Sequence, residues 1–96
     1  MILWLLLMLG AVPKTHTVEI RGMEFHPALL TVAVGDTVVW INHDIVPHTA
    51  TASGRAAWDT GQLLQNQTGR QVMTRSGATR YMCAFHPTMH GKLIVR

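Results

Sequence analysis

A single cysteine, Cys83, in a chain of 96 residues excludes an internal disulfide. A domain this small buries a modest core and is marginal without a staple, so the missing disulfide directs attention to a metal ion. Charge is scarce as well. Only 14% of residues are Asp, Glu, Lys or Arg against 48% hydrophobic, the opposite of the composition that keeps a chain disordered. The eight basic residues are dispersed, with no Lys/Arg-rich run and no nucleic-acid motif, so nucleic acid is not an expected partner. The formal charge of +3 fits attraction to an acidic protein surface better. No internal repeat or low-complexity tract occurs, and helical periodicity is almost absent.

Long apolar runs are missing too. The longest, residues 2–9, is far too short to span a bilayer as a helix but has the length of a secretory signal core. Gly10 and Ala11 are small, as a cleavage site requires, although Leu9 fits such a site poorly and no Lys or Arg precedes the run. No cysteine lies near Ala11, so a lipid-attached form is not indicated. Residues 1–12 are therefore read as a signal peptide or short N-terminal hydrophobic segment. The alternatives are a first core strand or a membrane-associating anchor. Residues 13–96 are read as one domain, periplasmic or otherwise exported.

What is present in that domain is β pattern. Residues 14–20 alternate, with Thr15, Thr17 and Glu19 on one side and His16, Val18 and Ile20 on the other. Residues 21–27 look irregular, and a second strand is expected at 29–34. Gly35-Asp36 then predicts a tight turn into a neighbouring antiparallel strand at 37–42. Residues 43–47 read as a loop and 48–51 as extended, while 53–61 is small, polar and irregular. A weak strand is expected at 71–74, a stronger one at 80–84 and a last one at 91–96. Some seven to eight short strands separated by turn signals predict an all-β, Greek-key β-sandwich.

The chemistry concentrates in Cys83-Ala84-Phe85-His86-Pro87-Thr88-Met89, where a thiol, an imidazole and a thioether recur at steps of three. These are donors that copper prefers, and short spacing lets them converge with little loop-closure entropy. The bland alternative for a lone cysteine in a small β domain is a buried apolar filler. A second element, Asn42-His43-Asp44-Ile45-Val46-Pro47-His48, follows the strongest strand, and His48 would complete a His₂Cys set with a weak axial Met. His16 and His26 read as surface or satisfied core residues; His43 and His90 stand closer to the ligand pattern.

Val38-Val39-Trp40-Ile41-Asn42 followed by Pro47-His48-Thr49, then residues 81–89 and Gly91, resembles the cupredoxin (blue copper) family, and the short step from His86 to Met89 resembles its amicyanin-like members. The resemblance covers residues 14–96. It implies a mononuclear type 1 copper centre with His48, Cys83, His86 and Met89 as ligands. It also implies that Asn42 ties the two ligand loops by hydrogen bonds and constrains the thiolate. Pro87 would stiffen the loop, and Phe85, Pro87 and Thr88 would form the rim where redox partner proteins dock. Thr79 departs from the family's pattern, standing where a tyrosine is usual, and residues 69–77 look short. The implied function is single-electron transfer between protein partners by a monomeric, non-enzymatic carrier with one copper ion. The alternative is an exported protein that carries or buffers copper, with His43, His90, Met23 and Met82 as donors of a second site. Structural zinc favours more thiolates and no thioether. A Cys–His enzyme needs an open thiolate and an oriented third group, for which the sequence offers no convincing oxyanion site. An oxidase would need further histidine pairs.

Overall fold

The computed structural model describes residues 12–96, so the expected signal segment lies almost wholly outside the described residues. Eight strands form: β1 (Thr15–Arg21), β2 (Glu24–His26), β3 (Leu29–Val32), β4 (Thr37–Asn42), β5 (Thr51–Ala52), β6 (Thr68–Val72), β7 (Gly77–Met82) and β8 (His90–Val95). They make two four-stranded sheets in the orders β2-β1-β4-β6 and β3-β8-β7-β5. Each sheet contains one parallel pair, β1 with β4 and β3 with β8, among antiparallel neighbours. This is the expected all-β sandwich, and among the described residues there is no helix.

The alternation in β1 places Val18 and Ile20 inward, while β4 contributes Val38 and Trp40, β7 Tyr81, and β8 Leu93 and Val95. Phe25, Trp40 and Trp58 surround Tyr81 with ring centroids 4.7, 5.4 and 5.5 Å away. Such aromatic contacts each add about 0.5–1.5 kcal/mol beyond the area they bury. Burial also raises the Tyr81 phenol to about 12. Gly91, opposite Tyr81 in the β7–β8 register, leaves room for that ring, and a Cβ there would fall inside it.

Three local expectations are corrected. Residues 24–26 are not irregular but form β2, joined to β1 by a two-residue turn, with Arg21 opposite Glu24. Gly22 (φ 59°) and Met23 (φ 62°) both adopt the left-handed conformation that a type I′ hairpin turn requires. Gly35-Asp36 does not join two neighbours of one sheet. It carries the chain from β3 in one sheet to β4 in the other. Asp36 fixes that crossing, since its carboxylate accepts the N–H groups of Lys14 (2.9 Å) and Ala33 (3.0 Å) and pairs with His16 (2.9 Å). Those N–H groups and the His16 ring hold its carboxyl down at about 2. Finally, β6 begins three residues earlier than the strand expected at 71–74, with Gly69 packed against Thr60 and Leu63.

Candidate metal centre

Two loops at one end of the sandwich carry the residues singled out by sequence. The first leaves β4, where Asn42 lies opposite Ile20 on the inner face and is fully buried. Its side-chain amide donates to Val46 O and Leu63 O, both at 2.9 Å, and its Oδ1 accepts the Asp44 N–H at 2.8 Å. Its backbone is also engaged, donating to Gln67 O and accepting from Asn66 N–H. His48 then pairs with Leu63 through two backbone hydrogen bonds of 3.1 and 2.7 Å.

The second loop begins directly after β7. Cys83 is fully buried, and the loop closes on its own main chain. The His86 N–H donates to Cys83 O (3.3 Å), Met89 N–H to His86 O (2.9 Å) and Cys83 N–H to Met89 O (3.3 Å). Met89 is thereby tied to both neighbours and its side chain is buried, while His86 is half-buried.

The two loops meet at sulfur. Cys83 Sγ lies 3.6 Å from His48 Nδ1 and 3.5 Å from His86 Nδ1, and the two imidazoles stand with centroids 4.9 Å apart. Among the described residues, His48, Cys83 and His86 are the one group of His, Cys, Asp or Glu donors gathered closely enough to hold a metal ion, all within 4.8 Å of one another. A borderline ion bonds nitrogen at about 2.0 Å and sulfur at about 2.3 Å, and angles of about 110–120° then separate the donor atoms by about 3.5–3.7 Å. The observed spacings match. One thiolate and two imidazoles are also the in-plane donor set of a type 1 copper centre, so the residues present fit a single copper ion. His43 and His90 are outside this group: His43 bonds Glu19 at 3.1 Å, and His90 opens β8 opposite Met82.

Two further residues, which stand in the sequence motifs with no role read for them there, shape the site. Asp44 accepts His48 Nε2–H at 2.8 Å, which leaves Nδ1 as the acceptor facing sulfur. The same carboxylate receives the N–H groups of Gly22 (2.8 Å) and Met23 (2.9 Å) from the β1–β2 turn. Burial pushes this carboxyl up, but the Met23 N–H, the His48 ring and the Gly22 N–H outweigh it and hold the group below its ordinary value. A carboxylate behind a ligating histidine fixes both its tautomer and its orientation. Thr49 is the second. Its N–H points at Cys83 Sγ (3.4 Å), and its hydroxyl oxygen accepts the Ala84 N–H (2.8 Å).

Thr49 therefore makes the tie between the loops that was expected of Asn42, whose hydrogen bonds all stay on the His48 side. Of the expected rim, Phe85, Pro87 and Thr88 are all exposed beside His86. Ile45, Val46 and Leu64, on or next to the first loop, add exposed apolar surface that sequence reading passed over.

The family model for copper binding proteins of the plastocyanin/azurin family matches residues 13–96. The chain is 37% identical over 82 residues to amicyanin from Paracoccus denitrificans, covering 81% of this chain and 63% of that relative's length. A solved copper(I) form of an amicyanin variant superposes with a TM-score of 0.79 at 32% identity, covering 85% of this chain and 82% of that one. The fold also matches part of a copper-containing nitrite reductase from Thermus scotoductus SA-01, at a TM-score of 0.78 and 29% identity. That match covers 92% of this chain but 23% of the larger enzyme. With donors, loops and fold in agreement, the chain belongs to the plastocyanin/azurin family of copper binding proteins.

Proposed function

We propose that this protein is a mononuclear blue copper electron carrier, with His48, Cys83, His86 and Met89 as ligands. The observation that carries the reading is the pair of imidazole Nδ1 atoms flanking Cys83 Sγ at 3.6 and 3.5 Å, with Met89 buried in the same loop. A bound copper ion would supply one-electron chemistry between its two oxidation states.

The chain's own residues do the rest. His48 and Cys83 are fully buried, which excludes water and bars ready exchange of the ligands. Asn42, Asp44 and Thr49 hold them in place, so the frame needs little rearrangement between states. His86 is the ligand that nears the surface, and Phe85, Pro87 and Thr88 surround it with a rim on which a redox partner can dock. The net positive charge favours partners with acidic surfaces. In this reading residues 13–96 are the copper domain of a non-enzymatic, monomeric carrier, and residues 1–12 direct export to the periplasm or an equivalent compartment.

Visible and EPR spectra of the copper-loaded protein, with voltammetry, provide the test. The expected result is an intensely blue form that cycles reversibly by one electron and loses its colour in Cys83→Ser. An unchanged blue spectrum in that variant refutes the ligand assignment. A colourless protein that takes up Cu(I) and releases it readily replaces the carrier reading with copper buffering.

A further inference from the structure

Away from the metal centre, a cleft of about 670 Å³ opens near the start of β7, whereas Cys83 follows that strand's end. Arg55, Arg75, Arg80 and Lys92 line it, half of the chain's eight basic residues. We propose that this cleft is a binding site for a small, multiply charged oxyanion of the phosphate class.

The charges are not placed as a solvated surface would place them. Arg80 on β7 and Lys92 on β8 are directly opposite in the antiparallel register, an arrangement in which like charges destabilise a sheet. Arg55 and Arg75 approach from two flanking loops. The Ser53 N–H and hydroxyl both donate to Arg80 O, at 3.1 and 3.2 Å, which pins the Arg55 loop beside Arg80.

No carboxylate relieves the crowding, because all five are engaged elsewhere. Asp36 and Asp44 hold backbone N–H groups and histidines. Glu19 pairs with His43 and Arg21, and Glu24 with His26. Asp59 accepts the Thr51 hydroxyl and the Gly61 N–H. The cleft's size falls within the range of about 300–1,000 Å³ that holds small molecules. Four cations with the Ser76 hydroxyl around one concavity suit a ligand with several anionic oxygens, which guanidinium groups bind in paired hydrogen bonds. The cleft shares no lining residue with the metal centre, and an anion bound there needs no metal.

The test is a titration of sodium pyrophosphate into the ¹⁵N-labelled, copper(I)-loaded protein at about 0.15 M ionic strength, where long-range surface attraction is screened. The expected result is a saturating one-site curve with amide shifts at residues 53–56, 75–80 and 92. Arg80→Gln combined with Lys92→Gln raises Kd about tenfold or more through loss of charge-assisted hydrogen bonds. Arg55→Gln, a change in an exposed loop that leaves both sheets intact, weakens binding severalfold. Arg70→Gln, a cation of the other sheet that does not line the cleft, leaves Kd within about twofold. Shifts that rise linearly without saturating overturn the proposal. So does equal weakening by Arg70→Gln, or a response centred on Phe85 and Thr88.

Discussion

The two loops of the metal centre hold their ligands by opposite means. The loop ending at His48 is braced from outside: Asn42 and Leu63 grip its backbone, and Asp44 links His48 to the β1–β2 turn. The loop from Cys83 to Met89 is braced mostly from within, by three main-chain hydrogen bonds and one proline. Thr49 is the joint between them. The position of His48 is thus set by residues scattered over the chain, and those of Cys83, His86 and Met89 by their spacing. Damage should follow the same division.

The largest effect is expected from Asn42→Ala. It strips the partners from two backbone carbonyls and the Asp44 N–H at a buried position, costing roughly 2–4 kcal/mol. Urea denaturation of the apoprotein measures this. Next comes Asp44→Ala, which should lower copper affinity by about 10–100-fold, the usual loss when the partner behind a ligating histidine is removed. A competition titration with a copper chelator reads it, and Asp44→Asn should recover part of the loss by keeping a hydrogen-bond acceptor.

Thr49→Val keeps the N–H to sulfur but removes the hydroxyl that receives Ala84 N–H, for about 1 kcal/mol of stability. Because it loosens one loop against the other, its visible band should also shift, unlike that of a variant that only destabilises. Smallest is Pro87→Ala, at about 0.4–1 kcal/mol, since its effect lies mainly in the freedom of the unfolded chain. If Pro87→Ala proves as damaging as Asn42→Ala, the second loop is not self-supporting and the contrast fails.

This division explains what could be read in advance. Cys83, His86 and Met89 announce themselves because their support is local and periodic. His48 was reachable through the Asn42-to-His48 pattern. Asp44 and Thr49 were not, since each looks like any polar loop residue until the fold brings Met23 and Cys83 beside it. Strand β4 was legible to the residue from its β-branched run. Strand β2 was hidden because its turn puts Met23, with no turn preference, at a positive φ that the Asp44 carboxylate supports. Gly35-Asp36 signals a turn equally well whether the chain stays in one sheet or crosses to the other.

Asp36 offers a control at that crossing. Its carboxyl sits at about 2 against an ordinary 3.8, so it stabilises the folded state fully above about pH 4 and loses this as pH falls toward 2. Urea midpoints measured from pH 5 to pH 3 should fall less in Asp36→Asn than in the wild type.

The position of β8 has a consequence for how the chain folds. It pairs on one side with β7 and on the other, in parallel, with β3, placing Leu29 opposite Lys92. The second sheet therefore has no interior until β8 has been synthesised, and β3 waits for a partner made more than sixty residues later. Such distant pairing makes folding slow, on the order of milliseconds to seconds. The same late strand starts one residue after Met89, so the centre assembles only when the sheet closes. A chain held open before that moment has no assembled metal site to fill.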